Sequence, residues 1–143
     1  MTTPHGRRCG GFTLLEVLLV LVILVTLAGL AVGTYDGIRR AADIRAARAQ
    51  IGLFESQLEL YKLGVKNYPS TDQGLEALRT PPANLPNPDS WEGPYLNKPV
   101  PLDPWGNPYQ YQFPGKTNTS SYDLWSFGPD GSDGSEDDVG NWK

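Results

Sequence analysis

Residues 7–34 read RRCGGFTLLEVLLVLVILVTLAGLAVGT, and the 23 residues from Phe12 to Thr34 carry one charge, that of Glu16. At a rise of about 1.5 Å per residue this run makes about 34 Å of helix, enough to cross a hydrocarbon core of about 30 Å. A buried core helix is the competing reading. The remainder of the chain is too small and too polar to wrap such a segment on all sides. A cleavable secretory signal has a shorter apolar region, roughly 7–15 residues, ending in a small-residue site. Ala28 and Ala31 are small, but the run is long and no clean site follows it. Residues 12–34 are therefore read as a transmembrane helix half. Its lone carboxylate is the anomaly to be explained, since a charge in lipid costs about 2.5–3.5 kcal/mol or more.

Residues 1–11 form a short polar leader. It contains the only His, Cys and Met of the 143 residues, at His5, Cys9 and Met1. From Phe12 onward no disulfide, thiolate nucleophile or imidazole base is available, which removes Cys–His and Ser–His–Asp catalysis and zinc sites built on His or Cys. The chain is read as no enzyme. An extracytoplasmic domain without disulfides calls for another staple. Net charge is −4, and the loss of Arg7 and Arg8 with the leader takes it to −6, which argues against nucleic acid as a partner. Arg39, Arg40, Arg45 and Arg48 follow the apolar run and balance Arg7 and Arg8, so charge alone does not orient the segment.

Beyond the apolar run, residues 35–143 read as one globular domain whose first part, 35–64, continues the helix. Ile44, Ala47, Ile51, Phe54, Leu58 and Tyr61 are spaced by three and four, an apolar stripe on one face. The stripe lasts too few heptads for a coiled coil and is read as docking on its own domain. A helix from Phe12 to Leu63 is about 78 Å long. Gly64 suits its C-terminal cap, and Pro69 prevents simple continuation. In YPSTDQGLEALRTPP, Ser70 and Gln73 fit a capping box, which predicts a second helix over 71–79. Pro81, Pro82, Pro86 and Pro88 then exclude regular structure. DPWGNPYQYQFPG predicts a turn at 103–108 and a strand at 109–113; SSYDLWSF predicts a second strand at 121–127, with a third around Tyr95 and Leu96. The fold class is α+β, a long helix packed on a small antiparallel sheet.

The tail GPDGSDGSEDDVGNWK places Asp130, Asp133, Glu136, Asp137 and Asp138 within nine residues. A solvated acidic tail is one reading. A loop for a hard cation is the other, because Val139 and Trp142 offer anchors, Gly128, Gly131 and Gly134 permit tight turns, and oxygen-only ligands suit Ca²⁺. It is not an EF-hand: counted from Asp130, position six is Ser135 and position twelve Asn141. On composition the two readings stay open.

Gly11 followed by FTLLE and a long apolar run resembles the class III signal of type IV pilins and pseudopilins. That resemblance implies cleavage between Gly11 and Phe12 by a prepilin peptidase, methylation of the new Phe12 amine, and a cytoplasmic leader with the C-terminal domain in the periplasm. YPSTDQGLEALRTPP, GPYLNKPVPLDPWGNPYQYQFPG, YDLWSFGPDG and DDVGNW are similar, in the same order, to segments of the G-type major pseudopilins of type II secretion systems. The likeness covers almost the whole mature chain and departs from the family in the unusual acidity between Gly134 and Val139.

What the resemblance implies is a structural subunit of the inner membrane, stacked as a homo-oligomer into a short periplasmic filament. Minor pseudopilins, the inner-membrane secretion platform and inner-membrane lipid are its partners, and export of folded proteins is its task. It also explains Glu16: set against the N-terminal amine of a neighbouring subunit, the carboxylate is costly alone and compensated in the filament. Snorkelling to the membrane interface is the plainer alternative. The family further implies a structural Ca²⁺ that pins the C-terminal loop. By position its side-chain ligands are Asp130, Asp137 and Asp138, its carbonyl ligands Phe127, Ser132 and Gly134, with Asp133 and Glu136 in reserve. Competing functions are a type IV pilin for adhesion or DNA uptake, and a membrane-anchored calcium-dependent binding module.

Overall fold

The computed structural model describes residues 11–142. Leader residues 1–10 and Lys143 lie outside the described residues. The chain falls into two units, Met1–Arg39 and Arg40–Lys143, each described by itself. One helix, α1, covers Leu14–Val65. In the first unit the described side chains of α1 are exposed, among them Leu18, Leu21 and Leu24, and the helix is long and apolar enough to cross a membrane.

In the second unit the three-and-four spacing does what the periodicity predicts. Ala47, Ile51, Phe54, Leu58 and Tyr61 are buried, and Ile44 is partly buried at the edge. They meet Tyr68, Leu75, Leu78, Tyr109, Tyr111, Tyr122, Leu124 and Val139 in one core. Each large side chain so removed from water contributes about 1.5–3 kcal/mol. Phe54 packs edge-on against Tyr109 with ring centroids 5.3 Å apart, a geometry that places the positive ring edge on the negative face.

The opposing layer is a three-stranded antiparallel sheet in the order β1 (Gln110–Gln112), β2 (Asp123–Ser126), β3 (Val139–Gly140). Tyr111 pairs with Leu124, and Trp125 with Gly140. The first two strands lie inside the predicted ones. The third does not: Tyr95 and Leu96 donate their backbone N–H groups to the Leu78 carbonyl, at 2.8 and 2.9 Å, and join the turn before them instead of the sheet.

Two further expectations are corrected. Gly64 is not the cap, because α1 runs on to Val65 and Lys66 takes the left-handed φ of 70°. Gly64 is required for clearance, since a Cβ there would lie 2.8 Å from the Ser90 carbonyl oxygen and 3.0 Å from the Tyr95 hydroxyl. The second helix is not an α-helix over 71–79 but a 3-10 turn, Leu75–Leu78. The capping-box bonds do form: Ser70 N–H donates to Gln73 Oε1 at 2.9 Å, and Gln73 N–H to Ser70 Oγ at 3.4 Å. Gly74, at φ 57°, then turns the chain out of the helical path.

Candidate functional site

Gly11, Phe12 and Thr13 precede α1 and are exposed, so the Gly11–Phe12 peptide lies outside helical hydrogen bonding. Thr13 caps the helix, its Oγ1 accepting the Glu16 N–H at 3.3 Å. Thr13-Leu14-Leu15-Glu16 is therefore a T-x-x-E start signal, legible in the sequence but overshadowed by the apolar run. Glu16 lies exposed in the first turn, where the helix dipole favours a negative charge.

The second locus is the loop between β2 and β3. Asp103 and Ser126 anchor it from below. Ser126 Oγ donates to Asp103 Oδ2 at 2.5 Å and accepts the Gly128 N–H at 3.1 Å, while Asp103 Oδ1 accepts the N–H groups of Trp105 and Asn107 at 3.0 and 2.8 Å. Phe127 follows, half-buried, with helical φ and ψ. Gly128 has φ 71°, and a Cβ on it would stand 2.3 Å from the Asp137 carbonyl oxygen. Only glycine lets the two ends of the loop approach so closely.

Within the loop, Asp130 Oδ1 accepts the Ser132 N–H at 3.0 Å, and Asp138 Oδ2 accepts the Gly134 N–H at 2.8 Å. Ser135 Oγ donates to Asp138 Oδ1 at 3.4 Å. Asp133 Oδ1 accepts the Trp125 indole N–H at 3.0 Å, and Trp125 lies 5.8 Å from Trp142, centroid to centroid. Asp137 faces elsewhere. Both its oxygens accept from Arg40 Nη2 on α1, at 3.1 and 3.0 Å. The pair is open to solvent, and such pairs are worth about 0–1 kcal/mol.

The donor set is chemically right for a hard cation, since every side chain offered is a carboxylate. Asp130 and Asp138 bond with Ser132 and Gly134, two of the residues expected to supply carbonyls. Asp137 is held apart from them. Among the described residues no three carboxylates stand together closely enough to share one ion. As placed, the carboxylates therefore offer the right donor chemistry for a hard cation but are not gathered around one point.

A third group escaped sequence reasoning. Asp123 is buried, and its carboxylate accepts three backbone N–H groups, from Lys116 at 2.6 Å, Thr117 at 2.8 Å and Asn118 at 2.8 Å. Asn141 completes the seat: its Oδ1 accepts the Leu124 N–H, and its Nδ2 donates to the Tyr122 carbonyl. Tyrosines line the same core. Burial pushes the Tyr109 hydroxyl up to about 12, with the Asp103 carboxylate adding to it. Burial likewise raises Tyr61, Tyr111 and Tyr122 above their ordinary value.

Residues 37–142 match the family model of the type II secretion system (T2SS), protein G, and residues 6–32 match the prokaryotic N-terminal methylation motif. The chain belongs to the T2SS protein G family. Type II secretion system core protein G of Aeromonas hydrophila is 47% identical over 137 residues, spanning 95% of this chain and 94% of that one. The Vibrio cholerae core protein G is 47% identical over 140 residues, spanning 95% and 93%. The crystal structure of the major pseudopilin from the type 2 secretion system of enterohaemorrhagic Escherichia coli superposes with a TM-score of 0.66 at 38% identity. It covers 74% of this chain and 87% of that one.

Proposed function

We propose that this protein is the structural major subunit of the pseudopilus of a type II secretion system, supporting export of folded proteins across the outer membrane. The observation that carries it is the pairing, in one chain, of a methylation motif over 6–32 with a protein G match over 37–142. A prepilin peptidase cuts the Gly11–Phe12 bond, which lies before the first turn of α1, and methylates the Phe12 amine. Residues 12–34 hold the subunit in the inner membrane, with the N-terminus cytoplasmic and residues 35–143 periplasmic. Minor pseudopilins and the inner-membrane platform are its protein partners.

Glu16 is the assembly residue in this reading. In lipid it is costly in a lone subunit, and the methylated amine of a neighbouring Phe12 compensates it in the filament. Glu16→Ala is expected to yield a chain of correct mature mass, beginning at methylated Phe12, that forms few filaments and supports little secretion. Mature mass together with normal secretion in that variant removes the assembly role. A wild-type chain that keeps residues 1–11 removes the pseudopilin reading itself.

The C-terminal loop is proposed to take a structural Ca²⁺. The residues that would hold it are Asp130, Asp137 and Asp138 by side chain and Phe127, Ser132 and Gly134 by carbonyl. When bound, the ion neutralises the clustered charge and closes the loop. A ligand confined to the folded state adds about 2.7 kcal/mol of stability at a hundred times its Kd. Chelation should lower the melting temperature of the full chain in detergent, and an unchanged melting curve counts against the loop as a calcium site.

A further inference from the structure

We propose that Asp130–Gly131 is a site of spontaneous isoaspartate formation, and that the fold directs this modification to Asp130 and away from Asp133. The proposal rests on neither the secretion reading nor the calcium reading.

The loop between β2 and β3 repeats a tripeptide: residues 130–132 and 133–135 both read Asp-Gly-Ser. In each, glycine leaves the nitrogen after the aspartate unshielded, because no Cβ stands beside it. All four residues of the two Asp-Gly pairs are exposed. By sequence the two copies are equal, and the structure makes them different.

In the first copy the carboxyl lies over its own main chain. Asp130 Oδ1 accepts the Ser132 N–H at 3.0 Å, closing a ring that passes through the Gly131 nitrogen and keeps the carboxyl carbon on that side. The nitrogen itself is loosely held, its N–H reaching the Gly128 carbonyl at 3.4 Å, long for such a bond. In the second copy both reacting groups are engaged elsewhere. Asp133 Oδ1 accepts the Trp125 indole N–H at 3.0 Å, which draws the carboxyl toward β2. The Gly134 N–H donates to Asp138 Oδ2 at 2.8 Å, a charge-assisted bond that ring closure would break.

The step balances without a co-reactant. The Gly131 nitrogen attacks Cγ of the protonated Asp130 carboxyl. An N–Cγ bond forms, and the carboxyl hydroxyl leaves as water with the amide proton, giving a cyclic succinimide. Water then adds to a carbonyl of the ring. Cleavage of the N–Cγ bond restores aspartate. Cleavage of the bond between the nitrogen and the main-chain carbonyl carbon leaves the chain running through the side chain, as isoaspartate. Mass is unchanged, the main chain is longer by a methylene, and a free α-carboxylate stands beside it.

The test incubates the full chain in detergent and chelator for several weeks at mildly acidic pH, folded and in parallel in urea. Circular dichroism confirms the two states. Peptides spanning 130–135 are then scored for isoaspartate at each position by electron-transfer fragmentation, which cleaves the isoaspartyl backbone at its added carbon. In the folded chain isoaspartate at 130 should exceed that at 133 about fivefold or more, the factor that one net hydrogen bond supplies. In urea the two positions should react alike. Absence of isoaspartate at 130 in the folded chain overturns the site. Equal yields in the folded chain, or an excess at 133, overturn the selection by the fold. An excess at 130 that persists unchanged in urea overturns it too, because Pro129 and Ser132, the residues before the two aspartates, would then set the preference.

Discussion

Asp123 and Asp137 are both loop-binding carboxylates of the C-terminal half, and they are held in opposite ways. Asp123 is 3% exposed and takes three N–H groups from consecutive residues of one loop. Asp137 is open to water and takes one guanidinium from a helix 97 residues away in sequence. The first is held firmly, because the carboxylate itself is buried and accepts three backbone N–H groups at once. The second is held loosely, because water competes for both partners at every moment. The loop before β2 is thus pinned by a buried acceptor, and the loop before β3 by an ion pair that water screens.

The largest effect is expected at the caged carboxylate. Asp123→Ala orphans the N–H groups of Lys116, Thr117 and Asn118 and should cost about 3 kcal/mol or more in thermal or denaturant unfolding. Asp137→Ala, measured in chelator, should cost less than about 1 kcal/mol. Similar losses at the two positions would erase the contrast.

Alkali sharpens it next. Tyr61, Tyr109, Tyr111 and Tyr122 are all raised in the fold, so below about pH 10 both folded and unfolded chains hold these protons. Above that, the unfolded chain releases them and the folded chain does not. Stability should then fall with rising pH from about 10, for Tyr109 until its folded value of about 12. Melting scans from pH 8 to 12 check this; Tyr111→Phe should flatten the decline.

The smallest effect concerns a hydroxyl on the α1 side of the core. Among the described residues, the Tyr61 hydroxyl is buried without a hydrogen-bond partner. Tyr61→Phe removes it with little change of shape and should raise stability by about 1 kcal/mol. A fall in melting temperature would show that the hydroxyl has a partner, such as a trapped water.

Much of this was legible in the sequence where side-chain period carries the signal. The stripe from Ile44 to Tyr61 is a helical period, QYQ alternates, and DLWS is a short run bounded by turn residues, so helix, core face and two strands were readable. Signals failed where the deciding partner is main chain. β3 is two residues long, too short for any alternation, and exists because β2 offers it an edge. The Asp123 cage is built from backbone N–H groups, which every residue but proline has and no sequence pattern marks. Gly64 looked like a cap because glycine suits both caps and close approaches, and only the position of Ser90 and Tyr95 decides between them. For the loop, the carboxylates were readable as a cluster, but the partner of Asp137 was not. In the sequence Arg40 is one of four basic residues after the apolar run, and nothing in that pattern ties it to residue 137.

The close approach of Gly128 to Asp137 also makes residues 129–136 a clamped excursion, with its stems fastened by the pairing of Ser126 with Val139. Lengthening such a loop costs little, since each doubling of a flexible closure adds only about 0.6 kcal/mol. Extra residues placed near Gly131, an exposed position with φ 65°, would leave the fastened stems and the sheet behind them in register. An insertion there would part the proposed ligands Asp130 and Ser132 while leaving the sheet folded, so it separates what the loop holds from what holds the loop.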